Sequence, residues 1–472
     1  MSSHLPMENF AANALAALAN PIQREALHKA TTTFAERRLG VLLRAPNWQD
    51  WRTHARAIKD HTLEHLDYYL QQFANNAAAR GCVVHWAATG DDANRIVTEI
   101  TKAANTTAAV KSKSMTTEEI HLNEALAKAG VDAVETDLGE WIIQLAGEVP
   151  FHIVVPAIHK TRAQIGQLLH EKIGVAKDAS AAELTAAARV VLREKFAAAG
   201  IGISGGNFLI AETGSLLILE NEGNARLCTS LPRVHVAVVG IEKVIPRNAD
   251  LDVFLKLLPR SGTGQDLTTY QSLLTGPKTA ASQEGPAEIH IVLLDNGRTR
   301  MLREPKTRQA LACIRCGACL NACPVYQQVG GHAYGSVYPG PIGAVITPQL
   351  VSLKRGKQLP FASTLCGACR EVCPVKIDIP ELLLHLRGEV LVGNQAAKAA
   401  APDRLQALGF SIWAFFMRGK RRYAFATTLA RCCDRMFSPL LRHLPPLSGW
   451  HKGRELPRLA KRSFRAQWRK QG

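Results

Sequence analysis

The sequence predicts an α/β protein: a largely parallel sheet domain, preceded by an N-terminal helical region and followed by a mainly helical module organised by cysteine. Three observations carry this. Residues from about Glu8 to Phe73 are rich in alanine, with leucines at helical intervals. From Cys82 onward, short β-branched runs alternate with helical ones, the rhythm of strand-helix-strand units. Towards the C-terminal third, seven cysteines fall into two runs, Cys313-x2-Cys316-x2-Cys319-x3-Cys323-Pro324 and Cys366-x2-Cys369-x3-Cys373-Pro374.

Taken in order, the helical region (1–75) should break at Pro46, Asn47 and Trp48, where Pro and Asn favour a fresh helix start. The α/β domain (76–296) offers strands at VVHWA, TTAAVK, VDAVET, FHIVVPA, 214–220, 234–240 and 288–295. Helices are expected over 91–103 and 116–129, with ARVVLREKF and DVFLKLL as covering helices. The polar, basic stretch 296–310 has the composition of a linker. A cysteine module (307–395) follows, ending in an amphipathic helix after Pro380, and then a tail (396–472).

The cysteine intervals point to iron-sulfur clusters. Each short gap lets one turn of backbone aim neighbouring sulfurs at a single cluster, and the cysteine before proline serves the other cluster. By that crossing rule Cys313, Cys316, Cys319 and Cys373 hold cluster one, and Cys323, Cys366 and Cys369 hold cluster two. Cluster two is then one thiolate short. Laying the first run on the second puts Ser363 at the vacant position. A serine oxygen as ligand, a water or substrate oxygen at an open corner, or a three-iron cluster would each satisfy the count. Zinc sites use four ligands in two pairs, and disulfides are rare in a reducing cytosol. Of the remaining cysteines, Cys82 and Cys228 read as isolated buried thiols, and Cys432 and Cys433 form an adjacent pair.

The net charge of +17 is unevenly spread. From Arg418 to Gly472 there are 15 Lys and Arg against Asp434 and Glu455, a net +13, which leaves +4 for all that precedes. This basic segment follows FSIWAFFM (410–417), an apolar run too short to span a bilayer but able to lie in an interface. An apolar wedge beside a polybasic segment suits an anionic membrane surface, and a solvated tail is the plainer use of such a charge run. No nucleic-acid-binding signature accompanies it, so nucleic acid is not an expected partner. The N-terminus carries no export signal and no apolar stretch approaches ~18 residues. The expectation is a cytoplasmic protein, with the inner membrane face as a peripheral location for the tail.

Four segments carry a resemblance: KSKSMTTEEIHLNEAL (111–126), VETDLGEWIIQLAGEVPFHIVVPAIHK (134–160), GISGGNFLIAETGSLLILENEGNARL (202–227) and PRVHVAVVGIEKVIP (232–246). They resemble the lactate-utilisation (LUD) domain. With the two cysteine runs, residues 60 to 395 are similar to the iron-sulfur proteins of the bacterial lactate-utilisation system (LutB type), the basic tail lying outside the likeness. The resemblance implies an α/β domain similar to the sugar-phosphate isomerase and coenzyme A transferase folds. It also implies two 4Fe-4S clusters on the seven cysteines. The function implied is electron transfer, as a non-catalytic or co-catalytic subunit working with two partner gene products in the oxidation of L-lactate to pyruvate.

Other polar motifs offer a candidate anion site: Lys111 and Lys113 before a helix capped by Ser114 or Thr116, the turn Ser204, Gly205, Gly206 and Asn207, and Glu212, Asn221, Glu222, Asn224 and Arg226. The competing use is satisfaction of buried backbone. His152 and His159 flank an apolar run, where structural histidines are the commoner case, and His159 with Lys160 is a candidate for proton handling. Between the cysteine runs, GGHAYGSVYPGPIGA (330–344) is dense in glycine and proline, which suits either an irregular backbone that brings amides to cluster sulfurs or a plain turn-rich connection. No dinucleotide-binding glycine pattern is present, so neither flavin nor nicotinamide is expected. Three functional classes follow. A redox subunit for L-lactate is favoured, with another 2-hydroxy acid such as glycolate as its variant. An iron-sulfur regulatory sensor and a transferase-like use of the α/β domain alone are the others.

Overall fold

The computed structural model describes residues 6–392, 404–441 and 459–471. Residues 1–400 form one compact unit and 401–472 a second. The boundary expected at 395–396 lies outside the described residues.

The alternating segments build a six-stranded sheet that is parallel throughout. Its strands are β1 (Val83–Ala87), β2 (Ala108–Lys111), β3 (Asp132–Glu135), β4 (Ile201–Ser204), β7 (Val234–Gly240) and β10 (Glu288–Leu294), in the order β1-β10-β7-β4-β2-β3. Every strand therefore ends on one edge, the edge where open α/β sheets place their function. Side chains alternate faces as strand geometry demands. Val234, Val236 and Val238 meet the helices Gly90–Ala103 and Leu122–Lys128 on one face, while Ala237 and Val239 meet the helix Leu66–Ala79 on the other.

A second sheet was not legible in the sequence. The strands β5 (Phe208–Ile210), β6 (Ser215–Glu220), β8 (Val244–Ile245) and β9 (Tyr270–Leu274) run in the order β8-β5-β6-β9, with β5-β6 and β6-β9 antiparallel. Its two faces serve different cores. Leu209, Leu216 and Ile218 pack towards the parallel sheet. Phe208, Ile210 and Leu217 pack into a core shared with the N-terminal helices, the helix Leu251–Gly262 and the cysteine module. This small sheet is thus the middle layer that joins the α/β domain to the cysteines.

The expected N-terminal helices form, as Phe10–Leu18, Pro21–Leu43, Trp48–Glu64 and Leu66–Ala79, with the break at 44–47. Two local expectations fail. The helix expected over 116–129 is two, Met115–Glu119 and Leu122–Lys128, because His121 takes a left-handed conformation at φ 55°. FHIVVPA is not a strand. The His152 ring nitrogen Nδ1 accepts from the amides of Val154 and Val155, and the Phe151 amide donates to the Pro156 carbonyl, which curls the segment into turns. Its apolar residues fill the core beneath the cysteine module instead of pairing in a sheet.

Candidate iron-sulfur centres

Both cysteine runs fold into the same kind of turn. In the first, Arg315 sits at φ +61° and Gly317 at φ +76°, and the chain enters the short helix Ala318–Asn321. The Arg315 amide donates to the Cys313 sulfur at 3.4 Å, the Ala318 amide to Cys316 and the Ile342 amide to Cys319. Ile342 lies in the first turn of the helix Gly340–Leu350, within the glycine-rich connection. That segment therefore delivers an amide to a cysteine sulfur, as its composition suggested. In the second run, the Ile377 amide donates to Cys373 at 3.3 Å.

Cysteines distant in sequence come together. Cys313, Cys316, Cys319 and Cys373 line one small cavity walled by Ile153, Ile314, Ile342, Val375, Ile377 and Ile379. Electrostatic interactions link Cys369 with Cys323 and Cys366, and Cys323 with Cys366, while Cys319 also interacts with Cys369. Burial pushes the Cys373 thiol up to about 11 and Cys369 to about 12, and drives Cys316 and Cys319 higher still. Cys366 is exposed, and the Ala368 amide with the Thr364 side chain lowers its pKa. Four thiols facing an apolar cavity, three of them buried and Cys313 half-buried, with amides aimed at their sulfurs, fit a thiolate-ligated iron cluster. They do not suit a hard oxygen-seeking cation.

The wall between this cavity and the parallel sheet is a buried charge network that sequence reading missed. Arg298, fully buried, bonds Glu119 at 2.8 Å and Glu242 at 2.6 Å, and Arg315 reaches Glu242 at 3.4 Å. The Lys59 ammonium donates to the Glu242 carbonyl at 2.5 Å. Burial lowers Lys59 and its buried neighbour Lys243 to about 8, although the charges of Glu242 and Cys313 pull both up. Four cations here face two carboxylates, an excess of positive charge beside Cys313 that an anionic cluster would answer. One signal was available: Lys59 falls on the apolar face of its helix, in register with Ala55, Ile58, Thr62 and Leu63. The same helical region holds the second cysteine loop. Arg52 donates to the carbonyls of Cys373 and Arg370, at 2.9 and 3.3 Å, and Arg38 to that of Val372 at 3.4 Å.

The candidate anion site does not assemble, because its groups are spent internally. Lys111 is buried between Glu135 at 2.6 Å and Glu118 at 3.0 Å. Lys113 donates to the Val154 carbonyl, and Ser114, not Thr116, caps the following helix. Ser204 bonds His235 at 2.8 Å, Asn207 accepts from the Leu219 amide, Glu212 from that of Asn248 and Glu222 from that of Leu138. Asn221 bonds Gln265, Asn224 bonds Thr136, and Arg226 lies over the Tyr270 ring at 5.6 Å. His152 is a structural histidine: burial lowers it to about 3 and Nε2 meets Asn321 Oδ1 at 3.2 Å.

His159 and Lys160 both bond Glu148, at 2.7 and 2.6 Å, and hold its carboxyl down to about 2. With His332 and Gln164 they line a polar cavity. Ligand atoms of Glu148, His159 and His332 lie within 4.8 Å of one another, with Lys160 on Oε1 of the carboxylate and His159 on Oε2. Cys82 and Cys228 are buried thiols, as expected.

An α/β domain joined through Glu242, just past β7, to the first of two cysteine runs, the second being held by the N-terminal helices, fits an iron-sulfur protein of the dicluster class. The sequence matches the LUD domain over residues 70–294, the 4Fe-4S dicluster domain over 309–377 and the lactate utilisation protein B C-terminal domain over 385–472. Among similar proteins, the lactate utilization protein B of Oceanobacillus iheyensis is 43% identical over 452 residues, 95% of this chain and 93% of that one. That of Lysinibacillus sphaericus is 43% identical over 457 residues, 96% and 94%. An uncharacterized electron transport protein of Escherichia coli, YkgF, is 46% identical over 380 residues, 80% of each. The crystal structure of a DUF162 family protein from Deinococcus radiodurans, 14% identical, overlaps 48% of this chain and 98% of that chain at a TM-score of only 0.24.

The chain belongs to the lactate utilization protein B family. The C-terminal match corrects one expectation. The basic tail lies inside the family likeness and not beyond it, and its irregular charge-rich composition is what hid it.

Proposed function

We propose that this chain is the electron-relay subunit of a multi-protein system that oxidises L-lactate to pyruvate. Cys313, Cys316, Cys319 and Cys373 would hold one 4Fe-4S cluster, and Cys323, Cys366 and Cys369 the other. The observation that carries the reading is the convergence of four thiols, from two separated runs, on one apolar cavity backed by surplus buried cations. Oxidation of a 2-hydroxy acid releases two electrons and two protons. A bound 4Fe-4S cluster supplies one-electron transfer. The chain's own residues set the terms of that transfer. Lys59, Lys243 and Arg315 stabilise added negative charge, the amides of Arg315, Ala318, Ile342 and Ile377 donate to sulfur, and the isoleucine walls keep water out.

The two cysteine groups differ in exposure, which supports a direction of traffic. Cys316, Cys319 and Cys373 are buried, whereas Cys366 is exposed. The second group is therefore the one that meets a partner, which the reading assigns to the other lactate-utilisation subunits. The helix Arg404–Met417 exposes Phe410, Trp413 and Phe415 and is followed by the basic helix Lys420–Leu441. These features support contact with an anionic membrane face. Among the described residues no helix is long and apolar enough to cross a membrane.

The test is anaerobic purification of the chain with and without its partner subunits, followed by addition of L-lactate. Bleaching of the cluster absorbance only in the assembly is the expected result. Bleaching by glycolate but not by lactate would reassign the substrate, and failure of both would remove the relay role.

A further inference from the structure

The second cysteine run has the backbone geometry of the first at a position where it carries an oxygen and the first a sulfur. Cys313-Ile-Arg-Cys316-Gly-Ala-Cys319 and Ser363-Thr-Leu-Cys366-Gly-Ala-Cys369 match position for position, with serine in place of the first cysteine. Their backbones match as well. Arg315 and Leu365 have φ +61° and +58°, Gly317 and Gly367 have φ +76° and +87°, and each run then enters a short helix, Ala318–Asn321 or Ala368–Val372. The Arg315 amide donates to Cys313 Sγ at 3.4 Å, and the Leu365 amide to Ser363 Oγ at 3.1 Å.

A left-handed leucine costs of order 1 kcal/mol. In the first run the same conformation aims Cys313 into the cavity it shares with Cys316 and Cys319. By the same geometry, the left-handed Leu365 would turn Ser363 Oγ towards the side of Cys366 and Cys369. The residue is also held from behind: Arg387 donates to the Ser363 carbonyl at 2.9 Å while its guanidinium lies 5.1 Å over the Phe361 ring.

We infer that Ser363 Oγ is the fourth protein ligand of cluster two, completing the set of Cys323, Cys366 and Cys369. On binding, an iron-oxygen bond forms, the Oγ–H bond breaks and the proton leaves to solvent, with no change in electron count. The inference rests on the ligand assignment proposed above. Oxygen is a harder donor than thiolate and favours the ferric state, so cluster two is tuned to a lower potential than a four-cysteine cluster in the same place.

Anaerobically purified full-length protein, Ser363→Ala and Ser363→Cys are compared by iron content, electron paramagnetic resonance and redox titration. The wild type should hold about eight irons per chain and keep them on mild oxidation. Ser363→Ala should fall to about seven irons after the same oxidation and show a three-iron signal, with cluster one unchanged. Ser363→Cys should retain all its iron and titrate at a higher potential. A Ser363→Ala protein with the wild-type count, spectrum and potential would overturn the inference, as would a wild type already one iron short. Failure of the underlying assignment looks different: Cys366→Ala and Cys369→Ala would then leave the second signal intact.

Discussion

At the scale of single residues, chemistry-bearing side chains divided by whether the fold had already found them partners. Lys111, the lysine singled out by its position after a strand, is consumed by Glu118 and Glu135. Lys59, which lay unremarked in a helix, faces the cysteines. Sequence gives a residue's type but not which neighbours arrive from 183 positions away, the separation between Lys59 and Glu242. His152 illustrates the consequence for pH. Burial holds it neutral in the folded protein, with a pKa near 3 against 6.5 ordinarily. Below 6.5 the unfolded chain therefore binds a proton that the folded chain refuses, and stability present above 6.5 is lost as pH falls. The slope is about 1.4 kcal/mol per pH unit for one such group. His235, also lowered to about 3 by burial, adds the same again. His332, lowered to about 4 by burial, contributes in the same direction, so urea unfolding under anaerobic conditions at pH 7.5 and 5.5 should show a smaller pH dependence in His152→Gln than in the wild type, and an unchanged dependence would contradict this account.

At the scale of elements, the strands with strong period-two patterns and the cysteine turns were readable because their signals are local. VVHWA forms β1 over its full length, Val83–Ala87. FHIVVPA was misread because its apolar content serves a tertiary purpose, packing beneath the cysteine module. That packing is close. The chain at Gly331 runs against Phe151, so that a Cβ there would stand 1.7 Å from the Phe151 carbonyl oxygen, a backbone atom that cannot step aside. Gly331→Ala should lower the stability to urea by about 3 kcal/mol, and the methyl deletion Ala333→Gly two residues on by about 1 kcal/mol. Equal losses would mean that the close approach is not what fixes the glycine.

At the scale of the whole molecule, the linker expected at 296–310 does not separate two bodies. The helix Arg298–Arg303 and the turn Arg308–Ala312 belong to the packed unit, with Arg298 buried. Composition marked the stretch as polar, but its polarity is used in ion pairs with Glu119 and Glu242. The segment after residue 400 is different, being a separate unit with Leu405, Phe410, Trp413 and Phe425 exposed. A chain ending at residue 400 should keep its cluster absorbance yet lose binding to vesicles of anionic lipid. Binding by the full chain should weaken as salt rises, at ~1 kcal/mol per basic residue engaged. Equal vesicle binding by the two chains in a flotation assay would exclude the tail as the contact.

The surplus of positive charge sealed behind Cys313 bears on how the protein matures. Before iron arrives, Lys59, Lys243, Arg298 and Arg315 outnumber their acidic neighbours in a place with little water, so the interior repels itself. Closing of the chain around its cofactor is then the last act of assembly, and cells starved of iron should hold a looser, readily digested form in place of an empty but finished protein.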